Sequence, residues 1–582
     1  MWEGTSRAAD WSSLSGTWDV VVIGGGITGA GIFVEAARAG LRTLLVEQRD
    51  FAWGTSSRSS KLVHGGLRYL RTGQVRLARL AVSERESLLL DAPGLVSPLG
   101  FLLATYRGER PGRWTYHAGL SLYDMLAGRW EYRSYERDDF LALAPHLARE
   151  RLEGGFRFGD AKTDDARLVL RLIGDGVRAS GVALSYVAAE SLLRQEERVC
   201  GVRLRDGVCG RCSEVRAAAV VNATGAWADR LREQVGGAGR LRALRGSHLI
   251  FPAWRFPVAQ AISFLHPQDR RPVFAFPWEG ATLVGTTDLD HDQPLDAEPT
   301  ISGNEVAYLM SGLDSLFPSL GLRCEDVLST FAGVRPVIHS GTTDPSREPR
   351  DHAVWREAGL LTVTGGKLTT FRPVAREVLL ALRERFPDLA PPTADSPALD
   401  PAPVELPGEN RLDPDVARRL LGRYGPEAAA LVAAAGPGEL ETVPGTPTLW
   451  AELRWAARAE RVVYLGDLLL RRTRIGLLLP GGGRAVLGRV RAICTAELGW
   501  DEVRWREEEA AYLESWRRSH SVPHRSTIAR WERAQTSAMP ATEPDEARSS
   551  LPLYAALGAV AAVGVTAFVV GMWQRRVGKN LL

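Results

Sequence analysis

Gly24, Gly26 and Gly29 are spaced GxGxxG, and Glu47 follows 23 residues after the first of them. That set can hold the ADP half of a dinucleotide. Glycine lets the backbone approach a pyrophosphate, and a helix N-terminus offers donors and a positive dipole. The carboxylate accepts from a ribose hydroxyl and would repel a 2′-phosphate, which argues against NADP. A few residues later the chain reads GTSSRSSKLVHGGLRYL, residues 54 to 70. Small hydroxyl side chains, paired glycines and cations expose the donors that an anionic group needs. Thr55, Ser56 and Ser57 stand where they could finish a dinucleotide cradle, and the stretch from His64 to Tyr69 could carry the chain on to a reactive ring.

These residues need a strand, a turn and a helix to place them. Asp19 to Ile23 is a short β-branched run, the pattern of a buried parallel strand. Ile27 to Ala39 suits a helix closed by Gly40, and Leu41 to Val46 is a second strand ending in Glu47. A lone GxGxxG is weak evidence; one that follows a strand, opens a helix and meets an acid at the next strand end satisfies the physical requirement for ADP binding.

Length and charge set limits. The 582 residues amount to three or four domains of chain, and a formal net charge of +3 excludes a nucleic-acid binder held by bulk charge. Arginine far outnumbers lysine, and most arginines are expected on solvated faces. Five cysteines, an odd and sparse set, do not form a disulfide framework. Cys209 and Cys212 make a single CxxC within VRLRDGVCGRCSEVRAAAV, which reads as a β-hairpin turning at Asp206-Gly207. With no second pair nearby, no metal site is expected. Residues 551 to 573, LPLYAALGAVAAVGVTAFVVGMW, carry no charge and are long enough for a membrane-spanning helix, with Trp573 as an interfacial anchor.

The chain resembles the FAD-dependent, quinone-linked, aerobic-type glycerol-3-phosphate dehydrogenase family. The likeness runs through GGGITGAGI, TSSRSSKLVHGGLRYL, DDARLVL, VNATGAWAD, RGSHLIFP, VGTTD, GVRP, PRDH and TGGKLTTFRPVA. It extends into AELRWAARAERVVYLGDLLLRRTRIGLLL, which is similar to the family's helical C-terminal domain. The resemblance implies oxidation of sn-glycerol 3-phosphate to dihydroxyacetone phosphate by hydride transfer to FAD, with a membrane quinone as final acceptor. It implies substrate contacts from Arg68, Tyr69, Arg335, Arg350 and Lys367, with Arg335 facing the C2 oxygen. His248 is the candidate general base, since an imidazole titrates near neutrality; the alternative is a structural histidine. On the cofactor side it implies Gly24, Gly26, Gly29, Glu47, Thr55, Ser56, Ser57, His64, Gly225, Gly366, Lys367, Leu368 and Thr369.

The expected fold class is α/β. A Rossmann-like FAD-binding domain carries an inserted antiparallel-sheet substrate domain, the two interleaved over 18–390. A helical domain follows at 405–520, a linker at 521–550 and the transmembrane helix at 551–573. GATLVGTTDL supplies the antiparallel signal, and the Pro-rich stretch 391–407 reads as a linker. The expected location is the cytoplasmic face of a membrane, anchored by the C-terminal helix. Arg575, Arg576 and Lys579 beyond that helix argue for the opposite orientation, but the missing export signal weighs more. The expected partners are glycerol 3-phosphate, a quinone and the lipid bilayer, with a homodimer possible. Three rivals remain: a glycerol-3-phosphate oxidase using oxygen, a flavin amine or amino-acid oxidase, and a flavoprotein without turnover.

Overall fold

The computed structural model describes residues 7–67, 70, 74–109, 112–342, 348, 351–390, 393, 396–406 and 412–530. The first strand, Thr17–Ile23, is buried on both faces and lies at the centre of a mainly parallel sheet. It pairs in parallel with Thr43–Glu47 on one side and Cys212–Asn222 on the other, with Val22 opposite Leu45 and Val221. Val182–Ser185 and Leu360–Gly365 extend the parallel order outward. Helices Ile27–Arg38, Asp165–Arg178 and Phe371–Leu382 share one apolar core with this sheet, including Ile32, Phe33, Leu172 and Val378. Gly40 closes the first helix with φ +84°, the left-handed conformation glycine tolerates.

This order explains why three distant motifs form one site. The glycine turn follows Ile23, the ATG segment follows Asn222, and the GGK segment begins at Gly365, the last residue of its strand. All three leave the carboxyl ends of neighbouring parallel strands, where ligands of such sheets bind. The strands Arg198–Asp206 and Cys212–Asn222 form the expected antiparallel hairpin.

The second sheet has ten strands. Its key strand, Leu241–Pro252, pairs antiparallel with Ala281–Gly285 and with Ser329–Ile338. Side chains alternate across a strand, so His248, Gly246 and Leu244 share one face with Phe331, Gly333 and Arg335 opposite them. The inserted antiparallel sheet is therefore present as expected from GATLVGTTDL.

The C-terminal helical domain contains Pro414–Tyr424, Trp450–Ala459, Leu487–Leu498 and Glu502–Ser519. The described part of the Pro-rich stretch is not a free linker. Ala398 and Leu399 are buried in the first core, and Arg38 and Arg171 donate to the carbonyls of Pro397 and Asp400.

Two expectations are corrected here. The helix expected at 551–573 lies outside the described residues, and among the described residues no helix is long and apolar enough to cross a membrane. The longest C-terminal helix among the described residues, EVRWREEEAAYLESWRRS, is far too charged for that role. The fold class is a Rossmann-like FAD-binding α/β fold with a helical C-terminal domain, and among the described residues neither a transmembrane helix nor a membrane location anchored by one finds support. A minority of the arginines is buried: Arg167, Arg232, Arg423, Arg472 and Arg474 are among the largest fully buried side chains.

Candidate active site

The carboxyl ends of the parallel strands open into one cavity of about 2110 Å³. At one end Gly24, Gly26, Ile27, Thr28 and Glu47 line it. The turn is tight enough to require glycine. A Cβ on Gly29 would lie 1.8 Å from the Gly24 carbonyl oxygen, and one on Gly24 would lie 2.5 Å from that of Ala223. Gly29 does not line the cavity; it closes the helix against the turn. Ser56 Oγ accepts from the Ile27 N–H at 2.9 Å, tying the hydroxyl-rich loop to the helix N-terminus. Glu47 accepts from the N–H groups of Gly25 (2.7 Å) and Arg49 (2.9 Å). Burial pushes its carboxyl up, and those donors pull it back. A cradle with glycine only where backbone must approach, a helix N-terminus and an acid fits the ADP portion of FAD.

Further along the cavity wall come Thr55, His64, Gly225, Gly366, Lys367, Leu368 and Thr369. Ser57 is buried and does not line the cavity; its carbonyl accepts from Lys61 Nζ at 2.8 Å. Arg335 enters from the antiparallel sheet. Asp288 accepts from its Nη1 at 2.8 Å, and Thr286 Oγ1 from its Nη2 at 3.0 Å. A Cβ on Gly246 would lie 2.3 Å from Arg335 Nη2, so the glycine clears the path of this guanidinium. Arg68, Tyr69 and Arg350 lie outside the described residues.

His248, the candidate general base with a structural histidine as its alternative, is buried. It does not line the cavity. Its ring is 1% exposed and stacks on Phe331 with centroids 4.5 Å apart. A Cβ on Gly285 would come within 2.1 Å of it. Burial, then the cations of Arg335 and Lys61, push the imidazole well below its ordinary range. The register explains this: only pairing with Ser329–Ile338 reveals which neighbours cover residue 248.

Several site residues escape a reading of the sequence. Arg58 lines the cavity, ion-paired to Glu298 and held over the Trp53 ring. Ser60, Thr286, Asp288 and Trp227 line it too. They sit inside the quoted motifs SSRSSK, VGTTD and TGAWAD, so the motifs marked the segments without ranking their members.

Lys61 anchors the loop from behind. It is fully buried, with φ +57°, and donates to both oxygens of Asp165 at 2.9 Å. Burial pushes its ammonium down to about 8, against the pull of Asp165. The unfolded chain, with lysine at its ordinary value, then binds more protons between about pH 8 and 10.5, so stability should rise with pH through that window. The buried charge costs on the order of 3 kcal/mol below it. Urea midpoints of wild type and Lys61→Met at pH 7.5 and 9.5 test this. The wild type should gain on the variant at the higher pH, and parallel shifts would refute the assignment.

Among the described residues no cluster of His, Cys, Asp and Glu could hold a metal ion, and all five cysteines are free.

Comparison with known proteins agrees with this geometry. The family described as FAD dependent oxidoreductase matches residues 19–378, and the C-terminal domain of alpha-glycerophosphate oxidase matches 381–505. The chain is 33% identical over 485 residues to the aerobic glycerol-3-phosphate dehydrogenase of Staphylococcus haemolyticus, covering 78% of this chain and 86% of that protein. The X-ray structure of the glycerol-3-phosphate dehydrogenase from Bacillus halodurans complexed with FAD superposes with a TM-score of 0.72. It is 29% identical and covers 88% of this chain and 98% of that one. L-alpha-glycerophosphate oxidase from Mycoplasma pneumoniae shares the fold, with a TM-score of 0.52 and 18% identity over 67% of this chain and 99% of its own. With well over half of its length matched, the chain belongs to the FAD-dependent oxidoreductase family, in the group of the aerobic glycerol-3-phosphate dehydrogenases.

Proposed function

We propose that the protein oxidises sn-glycerol 3-phosphate to dihydroxyacetone phosphate with FAD as its cofactor. One observation carries this reading: a single cavity joins the glycine cradle to Arg335, Lys367, Thr286 and Asp288. When bound, FAD supplies the hydride acceptor. The chain supplies the rest. Gly24 and Gly26 bring backbone to the pyrophosphate, and Glu47 is on hand for the ribose. Arg335, fixed by Asp288 and Thr286, faces the C2 oxygen and stabilises the negative charge that develops there as its proton leaves. Lys367 adds a second cation on the flavin side. Arg68, Tyr69 and Arg350 complete the reading as phosphate contacts, because a dianion calls for arginine forks.

The acceptor in this proposal is a lipid-soluble quinone. Its support is the apolar end of the same cavity, lined by Leu70, Phe101, Leu103, Phe158 and Phe274. Anaerobic addition of sn-glycerol 3-phosphate should bleach the flavin, and a quinone should restore its colour faster than air does. Rapid reoxidation by oxygen alone would favour the oxidase reading, and bleaching by amino acids instead would replace the substrate.

Arg335→Ala and Lys367→Ala should keep their flavin and lose flavin reduction. Each removes a charge-assisted contact worth about 1.5–3 kcal/mol, or roughly 10- to 150-fold in rate. Wild-type reduction rates in either variant would remove that residue from the site.

A further inference from the structure

Among the described residues, Ser60 is the cavity-lining side chain hydrogen-bonded to the buried His248. Its Oγ lies 2.9 Å from His248 Nε2. The histidine has no other polar contact among the described residues, and its Nδ1 is buried without a hydrogen-bond partner. Phe331 covers one face of the ring and Gly285 crowds its edge, so the imidazole cannot swing into the cavity. Any exchange between His248 and a ligand must pass through the Ser60 hydroxyl.

The backbone around Ser60 is built to hold that hydroxyl in place. Asp165 Oδ2 accepts from both the N–H and the Oγ of Ser59, at 2.9 and 2.7 Å. Lys61 grips the same carboxylate from the other side. Its positive φ is a conformation that non-glycine residues adopt only when their surroundings enforce it. Ser60 thus sits between two residues pinned to one buried acid, with its side chain directed between the cavity and His248. His248 and Arg335 rise from the same face of the antiparallel sheet, so the hydroxyl and the guanidinium serve the same end of the cavity.

We propose that Ser60 is a catalytic residue, the hydroxyl that conducts the substrate's proton to His248. This rests on the substrate reading above. As C2–H leaves with its electron pair for the flavin, the C2–O bond becomes a carbonyl. The proton of the C2 hydroxyl moves to Ser60 Oγ, and the proton Ser60 already carried moves to His248 Nε2. The alcohol loses two electrons, which bound FAD would accept as the hydride; no further reactant is needed. Burial and the cations of Arg335 and Lys61 disfavour the imidazolium, so it returns its proton through the same hydroxyl once the ketone has gone.

The test uses FAD-loaded enzyme. Ser60→Ala should retain stoichiometric flavin, while its rate of anaerobic flavin reduction at saturating substrate falls about 100-fold. His248→Gln should fall similarly, and the double variant should be no slower than either single one, because the two act as a unit. Wild-type reduction in Ser60→Ala, or losses that multiply in the double variant, would overturn the relay. A second measurement needs no substrate: in ¹⁵N-histidine-labelled protein, Ser60→Ala should shift the His248 Nε2 resonance. An unmoved resonance would remove the hydrogen bond on which the proposal stands. If glycerol 3-phosphate fails to reduce the wild type, the substrate reading falls by itself. The variants are then compared on whichever alcohol does reduce it.

Discussion

Gly29→Val should yield a protein that carries no FAD. The Cβ alone would stand 1.8 Å from the Gly24 carbonyl oxygen and 3.0 Å from its carbon. That oxygen is backbone in the glycine turn, so the clash cannot be relieved by a side-chain rotation. Either the turn opens or the helix Ile27–Arg38 moves off the sheet, and both dismantle the cradle. Two neighbouring glycines provide the contrast. A Cβ on Gly26 meets Ser56 Oγ at 3.1 Å, a hydroxyl that can rotate at the expense of its bond to Ile27. Gly225 has φ +59° but nothing within 4 Å, so Gly225→Ala incurs about 1–2 kcal/mol of left-handed backbone strain and no clash. The expected order of flavin content is wild type, Gly225→Ala, Gly26→Ala and, last, an empty Gly29→Val. Absorbance of the purified proteins, with circular dichroism to confirm folding, reads it directly. A yellow Gly29→Val would refute the cradle.

Arg474→Met should destabilise the whole protein by about 3–5 kcal/mol, the cost of stranding a buried charge. Arg474 belongs to the helical domain yet reaches the floor of the cofactor loop. Its Nε donates to Asp164 at 2.9 Å, its Nη2 pairs with Asp165, and its Nη1 donates to the Ser57 carbonyl at 3.2 Å. Asp164 is buried as well. Burial alone would raise its carboxyl, but Arg474 and Arg423 hold it well below the usual carboxylate range. Without Arg474 one guanidinium no longer answers two acids, and the 54–61 loop loses its support from below. Arg474→Lys should recover little, since one ammonium cannot span three acceptors. Urea midpoints together with FAD dissociation constants measure both effects. A loss under 1 kcal/mol with unchanged FAD affinity would show that this arginine is dispensable.

Sequence reasoning reached the parts of the fold that are local. The β-branched run before GxGxxG, the acid at the next strand end and the Asp206-Gly207 hairpin each follow from neighbours a few residues apart, and each is where it was expected. The boundary of the first helix was within a residue. His248 shows the limit. Its type suggested a base, but its exposure depends on Phe331, 83 residues further on, which register places directly opposite. The buried arginines show another. RRTR at 471–474 looks like surface charge in a line of sequence, because its partners Asp50, Asp164 and Asp165 lie more than three hundred residues upstream. Ser60 is hidden for the opposite reason. It is one of five serines and threonines in seven residues, and nothing local sets it apart.

The ion pairs between the helical domain and the flavin domain bear on modularity. Asp50 answers Arg471 and Arg472, Asp164 answers Arg423 and Arg474, and Arg167 answers Glu460. Two family segments meet between residues 378 and 381, which on paper invites a cut. Made there, the cut would leave two acids and a guanidinium of the flavin domain in an apolar interior without these counter-ions. A seam in ancestry is thus not a seam in energy: the catalytic half cannot be trimmed, transplanted or recombined without the half that neutralises it.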